Sequence, residues 1–168
     1  MKIIGIVGWK NCGKTTLATA IIRELSERGF KVNSVKHAHH YVDVDQQGTD
    51  SYRHREAGAN EVILASGQRY AIMHELRGAP EPELDELLAR LSPCDWVVVE
   101  GMKRHPHPKI EVHLKGCDQT PLFHQNPDVI AVASDHPLGF DGAEFDINDV
   151  KAMVDFILVQ EPYEAVTE

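Results

Sequence analysis

The chain has 168 residues and a mass of 18.8 kDa, the size of one domain, and its 42% hydrophobic residues are enough to close a single core. Seventeen basic residues against 26 acidic ones give a net charge of -9 and a pI near 5.5. That balance repels polyanions and speaks against a nucleic-acid binder or a protein held on anionic lipid.

Ile3 to Val7 is a short apolar run ending in Gly8, after which Leu17, Ile21 and Leu25 recur at helical spacing as far as Gly29, a stop residue. A strand, a loop and a helix are expected in that order. Lys31 to Lys36 reads as a second strand parallel to the first, since a helix separates them, and the class is therefore α/β with a mostly parallel sheet. A polar loop from Ala38 to Thr49 follows, then a short helix from Asp50 to Ala57 stopped by Gly58, then a strand from Glu61 to Ala65. Ser66-Gly67 turns the chain into Arg69 to Glu75, so these two segments form a hairpin extending the sheet edge.

Beyond the break Gly78 to Pro82, Leu84, Leu87, Leu88 and Leu91 share a helix face. Trp96 to Val99, which ends in Glu100-Gly101, is apolar without alternation, as central strands covered on both faces are. Lys109 to Leu114 is expected as a further strand exposed at an edge, Val129 to Ala133 as a buried one, and Val150 to Leu158 as a last amphipathic helix before a loose tail beyond Glu161. Residues 1–168 thus read as one domain with small β excursions near 66–80 and 103–127.

Gly8-Trp9-Lys10-Asn11-Cys12-Gly13-Lys14-Thr15 fits G-x-x-x-x-G-K-[ST] and sits between a predicted strand and a predicted helix, where a phosphate loop must lie. The glycines let backbone N–H groups curl round a phosphate, Lys14 reaches the β- and γ-phosphates, and Thr15 can hold Mg²⁺. Thr16 follows within the same helix start. Glu100, emerging from the most apolar strand at the carboxyl edge of the sheet, is the expected second carboxylate for the metal. Asp43, Asp45 and Asp50 occupy the place of a switch segment that senses the γ-phosphate, and Asp45 and Asp50 are the candidate catalytic acids.

Lys36-His37-Ala38-His39-His40 invites a metal reading, but its spacing matches no defined finger, and phosphate contact or loop packing suits His37 and His39 better, with Lys36 and His37 counted among the nucleotide-binding residues. Cys12, Cys94 and Cys117 are odd in number and lack C-x-x-C spacing, so free thiols in the cytoplasm are expected, with Cys12 a filler of the loop. The first apolar run is too short for a signal peptide, and no stretch nears the roughly 18 residues a membrane span needs.

The phosphate loop, Lys36-His37-x-His39-His40, Asp43-x-Asp45-x-x-Gly48-x-Asp50-Ser51-Tyr52, Ala57-Gly58-Ala59, Val99-Glu100-Gly101-x-Lys103 and Ile130 to Asp135 together resemble the molybdopterin-guanine dinucleotide biosynthesis protein B family, across almost the whole chain. The resemblance implies a GTP-binding α/β protein of the P-loop class, dimeric, with little or no hydrolysis. Such a protein assists the guanylyltransferase partner that makes the guanine dinucleotide form of the molybdenum cofactor. Gln46-Gln47-Gly48-Thr49 departs from the lysines and proline of the family pattern, and Trp9 stands where the signature dimeric ATPases of the wider class carry a lysine. Asp135, at the end of the Val129 to Ala133 strand, is the candidate for selecting guanine, because a carboxylate accepts both the N1–H and the N2 amino hydrogens. Two other readings stay open: a nickel or cobalt metallochaperone GTPase, favoured by the histidines, and a small-molecule kinase. The kinase is the weaker of these, because Arg53, Arg55, Arg69 and Arg104 are scattered rather than gathered in a lid.

Overall fold

The computed structural model describes residues 1–38, 43–161 and 163. Six parallel strands form the main sheet: β1 (Lys2–Val7), β2 (Val32–Lys36), β5 (Trp96–Glu100), β6 (Lys109–His113), β7 (Val129–Ser134) and β8 (Ala143–Asp146), in the order β2-β5-β1-β6-β7-β8. Four α-helices accompany them: α1 (Lys14–Glu27), α2 (Asp50–Glu56), α3 (Leu84–Leu88) and α4 (Val150–Leu158). The first two strands are parallel as expected, with β5 inserted between them.

Alternate residues of a strand share a face, so each strand presents one side to each layer. On one face Ile4, Ile6, Val98, Ile110, Val112, Ala131 and Ala133 meet Leu17, Ala18, Ile21 and Leu25 of α1 and Met153, Val154 and Ile157 of α4. Each such aliphatic side chain contributes about 1.5–3 kcal/mol by leaving water, so Ile21→Ala, at a fully buried position, would cost roughly 2–5 kcal/mol. On the other face Ile3, Val97 and Val99 lie under Leu84 and Leu88 of α3, and Val7, Val129 and Val132 under Leu122, Phe123, Leu138 and Phe140.

Strand β6 corrects an expectation. The segment from Lys109 lies between β1 and β7 with all five strand residues buried, and it is neither an exposed edge nor a small excursion near 103–127. Its alternating charges imitate an edge strand, but its buried Lys109 and Glu111 both find partners. Lys109 Nζ donates to the His107 carbonyl at 2.7 Å and to Asp128 at 3.1 Å, and Glu111 accepts from the backbone N–H groups of Leu122 at 2.6 Å and Phe123 at 2.9 Å. Burial still pushes the Lys109 ammonium down and the Glu111 carboxyl up. His107 is driven to about 3 by burial and the nearby Lys109 charge, so it is neutral at pH 7.

The chain divides into two compact units, one of residues 1–37 and 84–168 and a second of residues 38–83. Within it β3 (Glu61–Ala65) and β4 (Tyr70–His74) pair antiparallel as the expected hairpin, but they form a separate two-stranded sheet and do not extend the edge of the main one. Val62 and Met73 are buried, and the exposed residues of the hairpin include Ile63, Tyr70 and Ile72. Helix α2 starts at the Thr49 cap, whose hydroxyl accepts from the Tyr52 N–H. Its Arg55 donates to Asp45 at 3.1 Å, Glu75 at 2.7 Å and Asp43 at 2.9 Å, joining the loop to the hairpin.

Candidate phosphate site at the carboxyl edge of the sheet

Strand β1 ends at Val7, and the chain must turn at once to enter α1. Gly8 makes the turn possible: its φ is 150°, and an added Cβ would lie 2.5 Å from the Val112 carbonyl oxygen of β6. Trp9, Lys10, Asn11 and Cys12 form the loop, and Gly13, left-handed at φ 88°, brings in α1 with no side chain capping it. The first N–H groups of α1 therefore keep their capacity for an anion, and the helix dipole adds to it. Thr16 lies in that first turn.

Lys14 folds back so that its Nζ donates to the Trp9 carbonyl at 2.6 Å, spanning the loop. Burial lowers the pKa of its ammonium, the Glu100 carboxylate opposes that, and Lys36 adds to the lowering. The Thr15 hydroxyl donates to Glu100 at 2.7 Å, and Lys36 Nζ donates to both Thr15 at 3.1 Å and Glu100 at 3.2 Å. Register explains the meeting: Lys36 and Ile6 are both Cα partners of Glu100, so three adjacent strands end side by side at the loop. His37 follows directly, its backbone N–H on the Glu100 carbonyl at 2.9 Å.

The structure thus brings Gly8 to Thr16, Lys36, His37 and Glu100 together. Asp135 emerges from the end of β7, where its Oδ1 accepts from the Lys115 N–H at 2.9 Å and pairs with His136 Nδ1 at 2.8 Å. The His136 bond, with that of Lys115, holds the Asp135 carboxyl below the usual range. An open cleft of about 270 Å³ adjoins it, lined by Ser134, Asp135, His136, Pro137, Glu144, Phe145 and Asp146. Asp45 and Asp50 belong to the 38–83 unit. Burial raises the Asp45 carboxyl, but bonds from Ser51, Gln46 and Thr49 and the Arg55 charge more than offset this and leave it lowered. Asp50 is 95% exposed, 3.9 Å from Arg53. His39 and His40 lie outside the described residues, and among the described residues no group of three or more His, Cys, Asp or Glu is placed to hold a metal ion.

Cys12 corrects a second expectation. It is no free loop filler but is joined in a disulfide to Cys117, 105 residues away, with the two Cα atoms 6.1 Å apart, and Cys94 is the free cysteine. The bond fastens the phosphate loop to the segment after β6, and the Trp9 indole N–H donating to the Thr120 carbonyl at 2.9 Å repeats the fastening. Lys103, which sequence reasoning left without a role, lies over Trp9 with its Nζ 4.1 Å from the ring centroid.

Residues 3–135 match a family described as Molybdopterin guanine dinucleotide synthesis protein B. The chain is 42% identical over 158 residues to the molybdopterin-guanine dinucleotide biosynthesis adapter protein of Haemophilus influenzae, covering 92% of this chain and 86% of that one. It is 41% identical over 159 residues to the adapter protein of Escherichia coli K12, covering 93% and 91%. A crystal structure of molybdopterin-guanine biosynthesis protein B superposes with a TM-score of 0.73 at 28% identity over 93% of this chain and 97% of that one. The structure of Bacillus subtilis MobB superposes with 0.73 at 25% identity over 94% and 96%.

Proposed function

The chain belongs to the molybdopterin guanine dinucleotide synthesis protein B family, and from that premise we propose that it is a GTP-binding accessory protein of molybdenum-cofactor maturation. It assists a guanylyltransferase partner in forming the guanine dinucleotide form of the cofactor. The observation that carries the nucleotide reading is the Thr15 hydroxyl 2.7 Å from the Glu100 carboxylate across a phosphate loop whose Lys14 and Lys36 crowd the same rim.

The phosphate-binding elements are the loop N–H groups from Gly8 to Thr16 and the Lys14 ammonium. Thr15 and Glu100 are adjacent hard oxygen donors, the kind Mg²⁺ takes, so the pair fits that ion. Bound there, Mg²⁺ screens the charge of the β- and γ-phosphates. Lys36, 58% exposed on a flexible stem, moves off Thr15 and Glu100 toward a phosphate oxygen, and His37 follows it at the rim. Asp135, ionised at neutral pH, supplies the carboxylate for the guanine N1–H and N2 amino group, and ATP offers no such donor pair.

Hydrolysis is slow in this reading. Asp45 shapes the switch segment through Arg55, and the exposed Asp50 is the acid left to orient a water. The hairpin's exposed Ile63, Tyr70 and Ile72 support a homodimer. The work is assigned to the cytoplasm, where GTP is made, and no described helix is long and apolar enough to cross a membrane. The test is a pull-down from cell extract with and without a non-hydrolysable GTP analogue. Nucleotide-dependent recovery of the guanylyltransferase is expected; equal recovery without nucleotide would contradict the GTP-dependent role.

A further inference from the structure

We propose that Lys103 is a third phosphate-binding lysine of the site, held over Trp9 so that its ammonium meets the γ-phosphate of bound GTP; the proposal rests on the GTP reading above. The placement begins where β5 ends. Gly101 and Met102 are both left-handed, with φ of 98° and 49°, and two such residues in succession reverse the chain. The reversal is locked from both sides: the Gly101 N–H donates to the Ile6 carbonyl at 3.1 Å, and an added Cβ on Gly101 would come within 3.1 Å of His37 Cβ. A side chain at position 101, or a relaxed conformation at Met102, would swing the next residue away from the loop.

That turn aims Lys103 at the phosphate loop. Its own carbonyl is fixed by Asn126 Nδ2 at 2.8 Å, and its Nζ lies 4.1 Å from the centroid of the Trp9 ring. Trp9 is held in turn by its indole N–H on the Thr120 carbonyl at 2.9 Å. An aromatic face carries a cation without neutralising it, so Lys103 keeps its charge for another partner. Burial lowers its ammonium, the nearby Lys14 lowers it further, and Glu111 opposes both; the Glu111 oxygens already accept from two backbone N–H groups. Lys14, Lys36 and Lys103 therefore gather round one loop, Lys14 and Lys36 facing Glu100 and Lys103 standing beside Lys14 with Glu111 as the carboxylate that acts on it. Three cations collected at a helix start is the arrangement a polyphosphate neutralises. Lys103 approaches from the Trp9 end, beside the Lys14 that reaches the outer phosphates, which singles out the γ-phosphate.

The experiment compares GTP and GDP affinity of the full chain, with Mg²⁺, for wild type, Lys103→Met and Lys14→Ala, by competition against a fluorescent guanine nucleotide. Methionine keeps an unbranched stem against Trp9 and removes only the charge; Lys103→Gln serves the same comparison if the methionine variant does not fold. Removal of the charge is expected to weaken GTP about tenfold or more and GDP less than about threefold, while Lys14→Ala loses both. Unchanged GTP affinity in the Lys103 variant, or equal losses for GTP and GDP, would overturn the γ-phosphate assignment. Failure of the wild type to bind either nucleotide would instead bring down the GTP reading beneath it.

Discussion

Two charged clusters in this molecule are built on opposite plans. In the 38–83 unit one cation, Arg55, is met by three carboxylates, Asp43, Asp45 and Glu75, at 2.7 to 3.1 Å, with its side chain only 12% exposed. At the carboxyl edge of the main sheet three lysines crowd a phosphate loop, Lys14 and Lys36 facing Glu100 and Lys103 facing Glu111. The first cluster satisfies itself and fixes a loop to a helix and a hairpin. The second gathers more lysines than the carboxylates that face them, and in the proposed function an anion completes it. Net chain charge, at -9, hides this, because the acids are spent elsewhere.

The largest effect expected concerns how the phosphate loop is held. A disulfide closing 105 residues removes chain entropy from the unfolded state, so reduction, or Cys117→Ser, should lower unfolding free energy by about 2–4 kcal/mol. Urea unfolding with and without dithiothreitol measures it. The Cys117→Ser protein should show no further response to reductant, and a wild type indifferent to reductant would mean that the loop is held without the bond.

Acid should separate the two regions next. His107 has a folded value of about 3 against 6.5 unfolded, so below pH 6.5 the unfolded chain takes up a proton that the folded unit refuses. Stability of the 1–37 and 84–161 region then falls with pH, by up to ~1.4 kcal/mol per unit from this group. Asp45 in the other unit has a depressed folded value, so its contribution is intact above the ordinary carboxylate range and lost only as pH falls through its lowered value. Native-state hydrogen exchange compared at about pH 7 and pH 5 should show protection lost in β1, β5 and β6 before α2 and the hairpin. Parallel losses in both would break the distinction.

A smaller effect sharpens the reading of the rim acid. Glu100→Gln replaces a hard anionic donor by an amide, so GTP affinity in Mg²⁺ should fall about tenfold, and affinity in EDTA much less. Equal losses would reduce Glu100 to a partner of Lys36. Arg55→Met, in contrast, should raise hydrogen exchange in α2 and the hairpin.

How far the sequence discloses all this depends on whether a feature is local. β1, the loop and α1 are legible because an apolar run, a glycine pattern and a 3.6-residue period follow one another, and Trp96 to Val99 because central strands lack alternation. Lys109, Glu111 and His113 misdirect the reading of β6, since their alternation is that of an edge, and the burial of Lys109 and Glu111 is made tolerable by Asp128, Leu122 and Phe123, supplied from 10 to 20 residues on, together with the His107 carbonyl. Strand β8 (Ala143–Asp146) is four residues long and follows no apolar run, so nothing marked it. The pairing of Cys12 with Cys117 rather than Cys94 is a tertiary fact that spacing cannot give. Lys103 lies inside the Val99-Glu100-Gly101-x-Lys103 pattern, but its placement depends on the left-handed Gly101 and Met102, which no pattern announces.

The contrast between a closed and an open charge cluster is tested most directly by calorimetric titration of the full chain with GTP and Mg²⁺, in wild type and in Lys14→Ala. Lys14 lies outside the buried core, so both proteins should unfold at similar denaturant concentrations. The wild type should bind one GTP per chain, and the variant should show no saturable heat. Absence of GTP binding by the wild type, or equal binding by the two proteins, would contradict the assignment of the loop as a triphosphate site.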